Sequence, residues 1–429
     1  MQSSVKRSVA GALAGAALLT AAPGIAAAHH ATPARGLSAN TRQYVPPPDP
    51  GGVRQVAQLA RRHQLRDAAL VAREITTPQA VWFTKGTSRE VERAVRATMR
   101  RAKRQHAVPT LVAYDLPYRD CGQYSAGGAL NTAEYADWID GFAKGIGRGS
   151  ANVILEPDGL GIIPFYTPLY GAMEWCQPKD DAGNPSPEAD PQHRFAALNA
   201  AVDRLERQPG AAVYLDGTHS AWLGAGEAAD RLLKAGVQRA QGFFVNVSNY
   251  RTTSDSAQFG AWVSDCIAFA TNGEEGGWRL GHTDYCAGQY NAAGQADYGA
   301  DQVAATNTWY ASNLGTAKPA THFVIDTSRN GQGPWTPPAG TYPDPQDWCN
   351  PPGRGLGERP EARPASVAGP LLDAYLWVKT PGQSDGQCNR GIAGSTTDPE
   401  WGGIEDPAAG EWFPQQALEL ARLADPPLR

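Results

Sequence analysis

The chain has 429 residues, of which 41% are hydrophobic and 19% are charged, so it can bury the core of one large domain or two medium ones. The net charge of −5 and the lack of a basic cluster after the first residues argue against nucleic acid or an anionic membrane surface as a partner. Tryptophan and tyrosine are abundant, with 12 and 15 residues. On loops, such rings suit stacking on the apolar faces of sugars.

The N-terminus has the pattern of a secretory signal peptide. Lys6 and Arg7 precede an apolar run that is too short to span a bilayer comfortably, and small residues end this run at Ala26 and Ala28. We therefore predict a signal peptide over residues 1–28 and a secreted, extracellular protein. No later segment is long and apolar enough to cross a membrane, so no membrane contact is expected after the signal is removed.

The remainder divides into a short lead-in and one large domain. Residues 29–50 contain Pro and small polar residues without periodicity, so we expect a flexible lead-in. The folded part is predicted over residues 51–429.

Within this part, apolar runs of strand length alternate with longer helix-like stretches. This alternation predicts a parallel sheet with helices outside it, either doubly wound or closed into a barrel. The strand-like runs are AVWF from residue 80, TLVAY from 110, NVIL from 152, AAVYL from 211, GFFV from 242, THFVI from 321 and DAYLWV from 373. The helix-like stretches are SREVERAVRATMRRAKRQ from residue 88, NTAEYADWIDGFAKGIG from 131, PQHRFAALNAAVDRLERQ from 191 and GEAADRLLKAG from 226.

Polar residues follow nearly every predicted strand, and they favour the barrel. In a barrel the C-terminal ends of all strands share one face, where active sites are built. A doubly wound sheet would gather such residues mainly at one switch point and would usually show a Gly-rich phosphate loop, for which GRGLGE from residue 353 is a weak signal because it follows no strand. The strand-end residues are Asp115, Asp120, Glu156, Asp158, Asp216, His219, Asn246, Asn249, Asp326, Lys379 and Asp385.

Six cysteines in a secreted chain predict disulfide bonds rather than free thiols. Many pairings are possible. Proximity in sequence suggests Cys121 with Cys176, Cys266 with Cys286, and Cys349 with Cys388. An alternative zinc site of Cys266, His282 and Cys286 lacks a fourth ligand at the usual spacing, so no metal or other cofactor is expected.

The strand-end carboxyl groups favour general acid and base catalysis. The chain has no Gly-x-Ser-x-Gly elbow and no single Cys with a partner His. Hydrolysis of a glycosidic bond needs one carboxylic acid that stays protonated and a second group that helps water to attack. Asp158 suits the acid, because burial at a strand end and nearby carboxylates such as Asp120 would raise its pKa. The alternative for Asp158 is a cap on a helix or turn.

Two of these segments resemble a known family. VAYDLPYRDCGQYSAGG from residue 112 and VILEPDGLG from residue 153 are similar to the signature segments of glycoside hydrolase family 6, the inverting cellulases. The likeness continues through YLDGTHSAWL, NVSNY, DTSRNGQGP, DWCNPPGRGLG and LWVKTPGQSDG, and it covers the chain from about residue 45 to the end. It implies an α/β fold, a distorted seven-stranded parallel β/α barrel with its cleft at the C-terminal ends of the strands, and a monomer that binds cellulose or cello-oligosaccharides.

The resemblance implies roles for four catalytic residues. Asp158 in EPD matches the general acid, and Asp120 in RDC matches the carboxylate that raises the pKa of this acid and is tied to the catalytic water. Asp385 in SDG matches a carboxylate often proposed as the base. Tyr114 matches a tyrosine at the cleavage point that helps to distort the sugar ring.

The same match implies a set of substrate-binding residues. For each tryptophan in it, the alternative is an ordinary core position. The set contains Trp82, Trp222 and Trp348, which would stack on glucose units, and Asp216, His219, Asn249 and Lys379, which would bind sugar hydroxyls. The Cys121–Cys176 and Cys349–Cys388 pairs agree with the bridges that the resemblance implies, whereas Cys266–Cys286 is additional and would staple an inserted segment.

Two positions depart from the family pattern. Gln383 stands where many members have Glu; it can hydrogen-bond a sugar hydroxyl but carries no charge, so we expect altered affinity or pH response. Ala126 stands where the family often has a Ser in a proposed water relay, and Ser125 lies beside it.

The resulting hypothesis is a secreted, inverting β-1,4-glucanase with Asp158 as the general acid. End-acting members cover the cleft with two long loops. The corresponding segments here, GPWTPPAGTYPDPQD from residue 333 and CNRGIAGSTTDPEWGGIEDPAAGEW from 388, are moderately long. Internal cleavage is favoured, with an exo-acting cellobiohydrolase as the alternative. A non-catalytic cello-oligosaccharide-binding protein and an enzyme for chitin or mixed-linkage glucan are more distant alternatives.

Overall fold

A curled sheet of eight strands forms the centre of the computed structural model, which describes residues 37–274, 277–290 and 300–428. In spatial order the strands run β1-β2-β3-β4-β5-β6-β8-β7. Neighbours from β1 to β6, and β6 with β8, are parallel, whereas β7 is antiparallel to β8. The strands are β1 (Val81–Phe83), β2 (Thr110–Ala113), β3 (Ala151–Leu155), β4 (Ala211–Asp216), β5 (Gly242–Val245), β6 (His322–Asp326), β7 (Glu361–Ala362) and β8 (Leu372–Leu376).

The prediction of a distorted barrel with seven parallel strands is confirmed, and each of the seven predicted strands is present. The eighth strand, β7, has only two residues and adds an antiparallel edge. At the other end of the sheet, the backbone N–H of Ala80 donates to Trp377 O at 2.9 Å. This bond joins the segment before β1 to the residue after β8 and draws the two ends of the sheet together.

Helices surround the sheet. The four predicted helices correspond to α3 to α6, and the first three of them begin with side-chain caps: Thr87 and Glu90 form a capping box, and Asn131 and Asp190 accept from the first backbone N–H groups of α4 and α5. The sequence alternation did not identify the others. The helices are α1 (Pro50–Arg61), α2 (Leu65–Ile75), α3 (Ser88–Arg104), α4 (Thr132–Ile146), α5 (Pro191–Leu205), α6 (Ala225–Lys234), α7 (Thr253–Thr271), α8 (Ala300–Asn313) and α9 (Pro414–Arg422).

The strands are buried on both faces, and alternate residues serve two cores. In β3, Val153 and Leu155 pack with residues of the surrounding helices. Ile154, between them, packs with Tyr214 and Phe244 of neighbouring strands inside the barrel. This two-sided burial explains why the strands read as continuous apolar runs in the sequence.

The predicted flexible lead-in is wrong for the part that the structure describes. Leu37 and Tyr44 are buried. The backbone of Tyr44 donates to Val108 O at 3.0 Å, and Val108 in turn donates to Arg42 O at 2.9 Å. The composition of this segment, which is rich in proline and small residues, did not predict that these two apolar side chains would be buried. The predicted signal peptide over residues 1–28 lies outside the described residues.

The three disulfide bonds are those suggested from the sequence: Cys121–Cys176, Cys266–Cys286 and Cys349–Cys388. Because Cys266 and Cys286 bond to each other, the alternative zinc site is wrong. Within the described ranges, no helix has both the length and the apolar character that a bilayer crossing requires.

Candidate active site

A cleft of about 700 Å³ lies at the C-terminal ends of the parallel strands. Loops after most strands contribute to its walls, as expected for a β/α barrel. The structure brings together nearly all of the residues that the sequence proposed for the site. Those that line the cleft are Trp82, Tyr114, Asp120, Asp158, His219, Trp222, Asn249, Trp348, Lys379, Gln383 and Asp385.

Asp216 is the exception, because it is not among the residues that line the cleft. Its buried carboxylate accepts hydrogen bonds from the backbone N–H groups of Leu160 and Gly161, both at 3.1 Å, and of Thr218 at 2.8 Å. These bonds hold the loop that follows Asp158. The placement argues against the predicted contact with sugar: the sequence could not separate a strand-end acid that points into the cleft from one that supports a loop.

Asp158 is placed by an unusual backbone immediately after β3. Glu156 and Asp158 have φ values of 53° and 63°, in the left-handed region that non-glycine residues rarely occupy. Pro157 lies between them, and its fixed φ restricts the backbone conformations that this turn can adopt. Such strain is found where the surrounding structure fixes a functional side chain.

Burial and nearby carboxylates raise the pKa of Asp158 well above its usual value. After burial, the main contributions are the negative charges of Asp216, Asp120 and Asp385, and Lys379 only partly opposes them. This shift favours the protonated form of Asp158, which is the form that a general acid requires. This agrees with the physical reasoning from the sequence.

Asp120 is a second carboxyl group with a raised pKa in the same cleft. Burial raises its pKa to about 6, although the backbone N–H of Ser125 partly opposes this by donating to Oδ2 at 2.7 Å. Asp120 and Cys121 both have positive φ, and the Cys121–Cys176 disulfide fixes this turn. Ala126, where the family often has Ser, lines the cleft beside Ser125.

Asp385 is surrounded by hydrogen-bond donors. Two are charged: Arg329 donates to both carboxylate oxygens at 2.9 and 3.0 Å, and Lys379 Nζ lies 3.0 Å from Oδ1. Tyr250 Oη and the backbone N–H of Asn350 donate to Oδ2 at 3.1 and 3.0 Å.

Burial alone would raise the pKa of Asp385, but the charges of Arg329 and Lys379 outweigh it and hold the pKa well below the usual range. A carboxylate that is this acidic, with its lone pairs occupied, is a poor proton acceptor. The contacts therefore argue against Asp385 as the base that the resemblance implied.

Sequence reasoning missed two arginines that shape the site. Arg329 follows β6 and also lies over the ring of Tyr250, with 4.6 Å to its centroid. Arg119 lies over the ring of Tyr114 at 4.6 Å and donates to Thr84 O and Ser125 O, both at 2.8 Å. For Arg119 the available signal was its position directly before Asp120, whereas Arg329 has no strand-end acid beside it in the sequence.

Aromatic side chains form much of the remaining wall. Trp82 packs edge to face on Tyr114, with 5.4 Å between centroids, and its Nε1 donates to Val378 O at 2.8 Å. Trp348 lies 5.9 Å from Tyr124. Two further tryptophans that line the cleft were not predicted, Trp175 next to Cys176 and Trp335 in the loop after β6.

His219 is a neutral donor facing the cleft. Burial lowers its pKa to about 3. Its Nδ1 accepts from the backbone N–H of Ala221 at 3.2 Å, so the ring proton resides on Nε2. This N–H can donate to a sugar hydroxyl.

Gln383 also lines the cleft, and its amide is already engaged on one side. Its Nε2 donates to Asp49 Oδ2 at 2.9 Å, and Asp49 caps α1. A glutamate at position 383 would place its carboxylate against that of Asp49, whereas the glutamine amide can donate to Asp49. The carbonyl oxygen remains an acceptor for substrate.

One group of three potential metal ligands occurs among the described residues: Cys388, Asp398 and Asp406. Cys388 is in a disulfide bond, and Asp398 forms a buried ion pair with Arg390. The group therefore does not fit a metal ion.

Comparison with known proteins gives a consistent result. A family model described as "Glycosyl hydrolases family 6" matches residues 38–424. Endoglucanase A of Cellulomonas fimi is 34% identical over 359 residues, which are 83% of this chain and 57% of that protein. Endoglucanase 1 of Streptomyces halstedii is 34% identical over 357 residues, which are 83% of this chain and 81% of that protein. Exoglucanase A of Cellulomonas fimi is 27% identical over 460 residues, and the match covers 90% of this chain and 48% of that protein.

Solved structures agree with the fold. The endoglucanase Cel6 from Mycobacterium tuberculosis, in complex with a thio-linked methyl-cellobiosyl cellobioside, has a TM-score of 0.60 and 32% identity, and the match covers 90% of this chain and 98% of that one. The catalytic domain of Cellulomonas fimi Cel6B also has a TM-score of 0.60, with 22% identity, 92% coverage of this chain and 96% of that one. The chain spans little more than half of the Cellulomonas fimi endoglucanase.

Proposed function

The chain belongs to glycosyl hydrolases family 6, and from this premise we propose that it is a secreted cellulase that cleaves β-1,4-glucosidic bonds internally and with inversion. The observation that carries the proposal is the pair Asp158 and Asp120, two carboxyl groups with raised pKa in one aromatic-walled cleft. The charge of Asp120 contributes to the raised pKa of Asp158. This is the electrostatic arrangement that keeps one acid protonated while a second group serves water.

Asp158 donates its proton to the glycosidic oxygen as the bond to the sugar breaks. Tyr114, packed between Trp82 and Arg119, stands beside the cleavage point and favours a distorted ring. Neither step needs a metal, because the carboxylic acid supplies the proton that the leaving group requires.

In the same displacement, a water attacks the anomeric carbon from the opposite face of the sugar and gives up a proton. We assign the acceptance of this proton to Asp120, through water, rather than to Asp385. Asp120 has a pKa of about 6 and can take up a proton near neutral pH, whereas Arg329 and Lys379 keep Asp385 ionised. Asp385 then stabilises the positive charge that develops on the sugar ring, together with its role in holding Lys379.

Substrate binding divides between stacking and hydrogen bonding. Trp82, Trp222 and Trp348 stack on successive glucose units. His219, through Nε2, and Asn249 hydrogen-bond the hydroxyls at the ring edges.

Internal cleavage is preferred over release from chain ends because endoglucanases match at 34% identity and the exoglucanase at 27%. An exo-acting cellobiohydrolase is the second candidate, since the exoglucanase match covers 90% of the chain.

Hydrolysis of cellohexaose with detection of the product anomer tests the proposal. Wild-type protein should release α-anomers from an internal bond, and Asp158→Asn should lose about 10²-fold to 10⁴-fold in kcat. β-Anomeric products, or near-normal activity of the variant, would contradict the mechanism. Cellobiose as the sole early product would favour the exo-acting alternative.

A further inference from the structure

A second aromatic surface lies outside the cleft, on residues 277–286 between α7 and α8. Trp278, Leu280 and Tyr285 are 50%, 56% and 46% exposed. The rings of Trp278 and Tyr285 are nearly parallel, with an interplanar angle of 26° and 6.3 Å between centroids, and the His282 ring stacks on Tyr285 at 4.3 Å. Large apolar groups that are clustered and exposed in this way usually mark a binding surface.

This segment is held in place from beneath. The Cys266–Cys286 disulfide ties its end to α7. The buried Arg279 lies between the rings of Phe269 and Trp278, at 5.5 and 5.6 Å, and donates to Leu314 O at 2.9 Å. Because the rings are fixed before any ligand arrives, a ligand would lose little binding free energy to ordering them.

The segment that carries the aromatic surface contacts two loops that reach the cleft. Tyr170 Oη donates to Asp284 O, and the loop of Tyr170 also carries Trp175, which lines the cleft. On the other side, Gln289 Nε2 donates to the carbonyls of Ser220 and Leu223 at 2.7 and 2.8 Å. These two residues flank Trp222, another cleft residue. The segment, together with Gln289 just after it, therefore adjoins two loops that carry cleft tryptophans.

The chemistry of this surface fits a glucan chain. Its flat rings match the apolar faces of glucose units. A polar edge lies beside them, where His282 Nδ1 is 3.1 Å from Asp284 Oδ1, and such groups can reach sugar hydroxyls. Tyr170, which is 68% exposed, provides a further ring on the side of the cleft.

We propose that Trp278, Tyr285 and His282, with Tyr170, form an accessory binding surface for β-1,4-glucan that extends the cleft beyond Trp175 and Trp222. The surface holds a distant part of a chain whose cleavage point is in the cleft. The choice of β-1,4-glucan rests on the proposed function.

Adsorption to insoluble cellulose tests this inference. Full-length protein carrying Asp158→Asn, so that the cellulose is not consumed, is compared with the same protein carrying Trp278→Ala and Tyr285→Ala in addition. We expect the partition coefficient to fall at least about fivefold, since the two lost stacking contacts contribute roughly 0.5–1.5 kcal/mol each. Addition of Val367→Ala, which truncates a residue that is 73% exposed outside this segment, is the matched control and should leave adsorption unchanged.

A second variant, Tyr285→Lys, leaves the contacts of Trp278 with Phe269 and Arg279 in place and should also weaken adsorption. Equal adsorption of all variants would overturn the inference. A shift in sedimentation on mutation, without a change in adsorption, would identify the surface as a contact between copies of the chain and would equally overturn it. If wild-type protein failed to hydrolyse cellohexaose, the proposed function would fail instead, and this result is independent of the adsorption measurement.

Discussion

Arg329 holds both carboxylate oxygens of Asp385, with Nη1–Oδ2 and Nη2–Oδ1 distances of 2.9 and 3.0 Å. The two groups come from loops that follow different strands, β6 and β8. Their buried pair joins those loops and sets the charge at the floor of the cleft. Asp385 is thus a structural centre of the site as well as a part of its wall.

Asp385→Asn should therefore lower the free energy of unfolding as well as the activity. The change leaves Arg329 and Lys379 buried without their counter-charge, and breaking a buried ion pair costs about 3–5 kcal/mol. Denaturant unfolding measures this loss. Asp347→Asn, at an exposed acid that also lines the cleft, is the matched control and should change the unfolding free energy by less than about 0.5 kcal/mol. Equal stability of the two variants would contradict this account of Asp385.

The pH dependence of kcat/KM should have an acidic and an alkaline limb, each caused by the titration of a different residue. Asp120 must be ionised to accept a proton, so activity should rise as pH increases through about 6. Asp158 must be protonated, and its raised pKa places the decline at higher pH.

Asp120→Asn tests this assignment through the residual activity. The variant should lose the acidic limb, and because it removes a negative charge near Asp158, the alkaline limb should move to lower pH. An alkaline limb that stays in place would show that Asp120 does not act on Asp158. Asp137→Asn, at an exposed acid on α4, should leave both limbs unchanged.

Glu74 in α2 should make stability depend on pH. It is fully buried, and within the described part of the chain neither of its carboxylate oxygens has a hydrogen-bond partner. Burial raises its pKa well above the usual value, so the folded state keeps a proton that the unfolded state releases above about 4.5. The stabilisation is complete below that pH and is lost as pH rises toward the folded-state pKa.

Glu74→Met fills a similar volume without a titratable group. We expect it to raise the unfolding free energy at pH 8 and to reduce the difference between pH 5 and pH 8. Urea unfolding at both values provides the measurement. A wild-type difference that persists unchanged in Glu74→Met would exclude this residue as its source.

Gln383→Glu should weaken binding of cello-oligosaccharides severalfold, because the new carboxylate would face Asp49, whose Oδ2 now accepts from Gln383 at 2.9 Å. Addition of Asp49→Asn restores a donor and keeps a residue that can cap α1, so the double variant should recover much of the affinity. Calorimetric titration in an Asp158→Asn background measures it. Additive effects of the two changes would argue against their coupling.

The sequence was informative about the barrel because its strands are buried on both faces. Runs such as NVIL have no exposed positions to interrupt them, and α3 to α5 begin with side chains that cap helices. The helices α1 and α2 lie before the first strand and β7 has two residues, so neither belongs to the βα alternation that made the other elements recognisable.

Within the site, the positions of residues were more predictable than their tasks. Asp158 and Asp216 both stand at the ends of apolar strands. The side chain of Asp158, on a backbone with positive φ, faces the cleft. The side chain of Asp216 is instead held by backbone N–H groups of nearby loops. Arg329, the partner of Asp385, lies 56 residues away in the sequence. The residues around either one do not predict that the two form a pair. A residue type at a strand end therefore predicts proximity, whereas its charge state depends on contacts from other loops.

The acids that support loops have a consequence for how this cleft can change. Glu156, at the end of β3, accepts from the backbone of Asp115 and Leu116 after β2, and Asp326 accepts from Val378 and Lys379 after β8. Together with the bonds to Asp216, these hydrogen bonds fasten the loops after β2, β3 and β8 within their first few residues to a neighbouring strand. The parts of these loops beyond the hydrogen bonds can lengthen, shorten or be exchanged while Asp158 keeps its position. The loops that cover the cleft can therefore evolve separately from the catalytic residues.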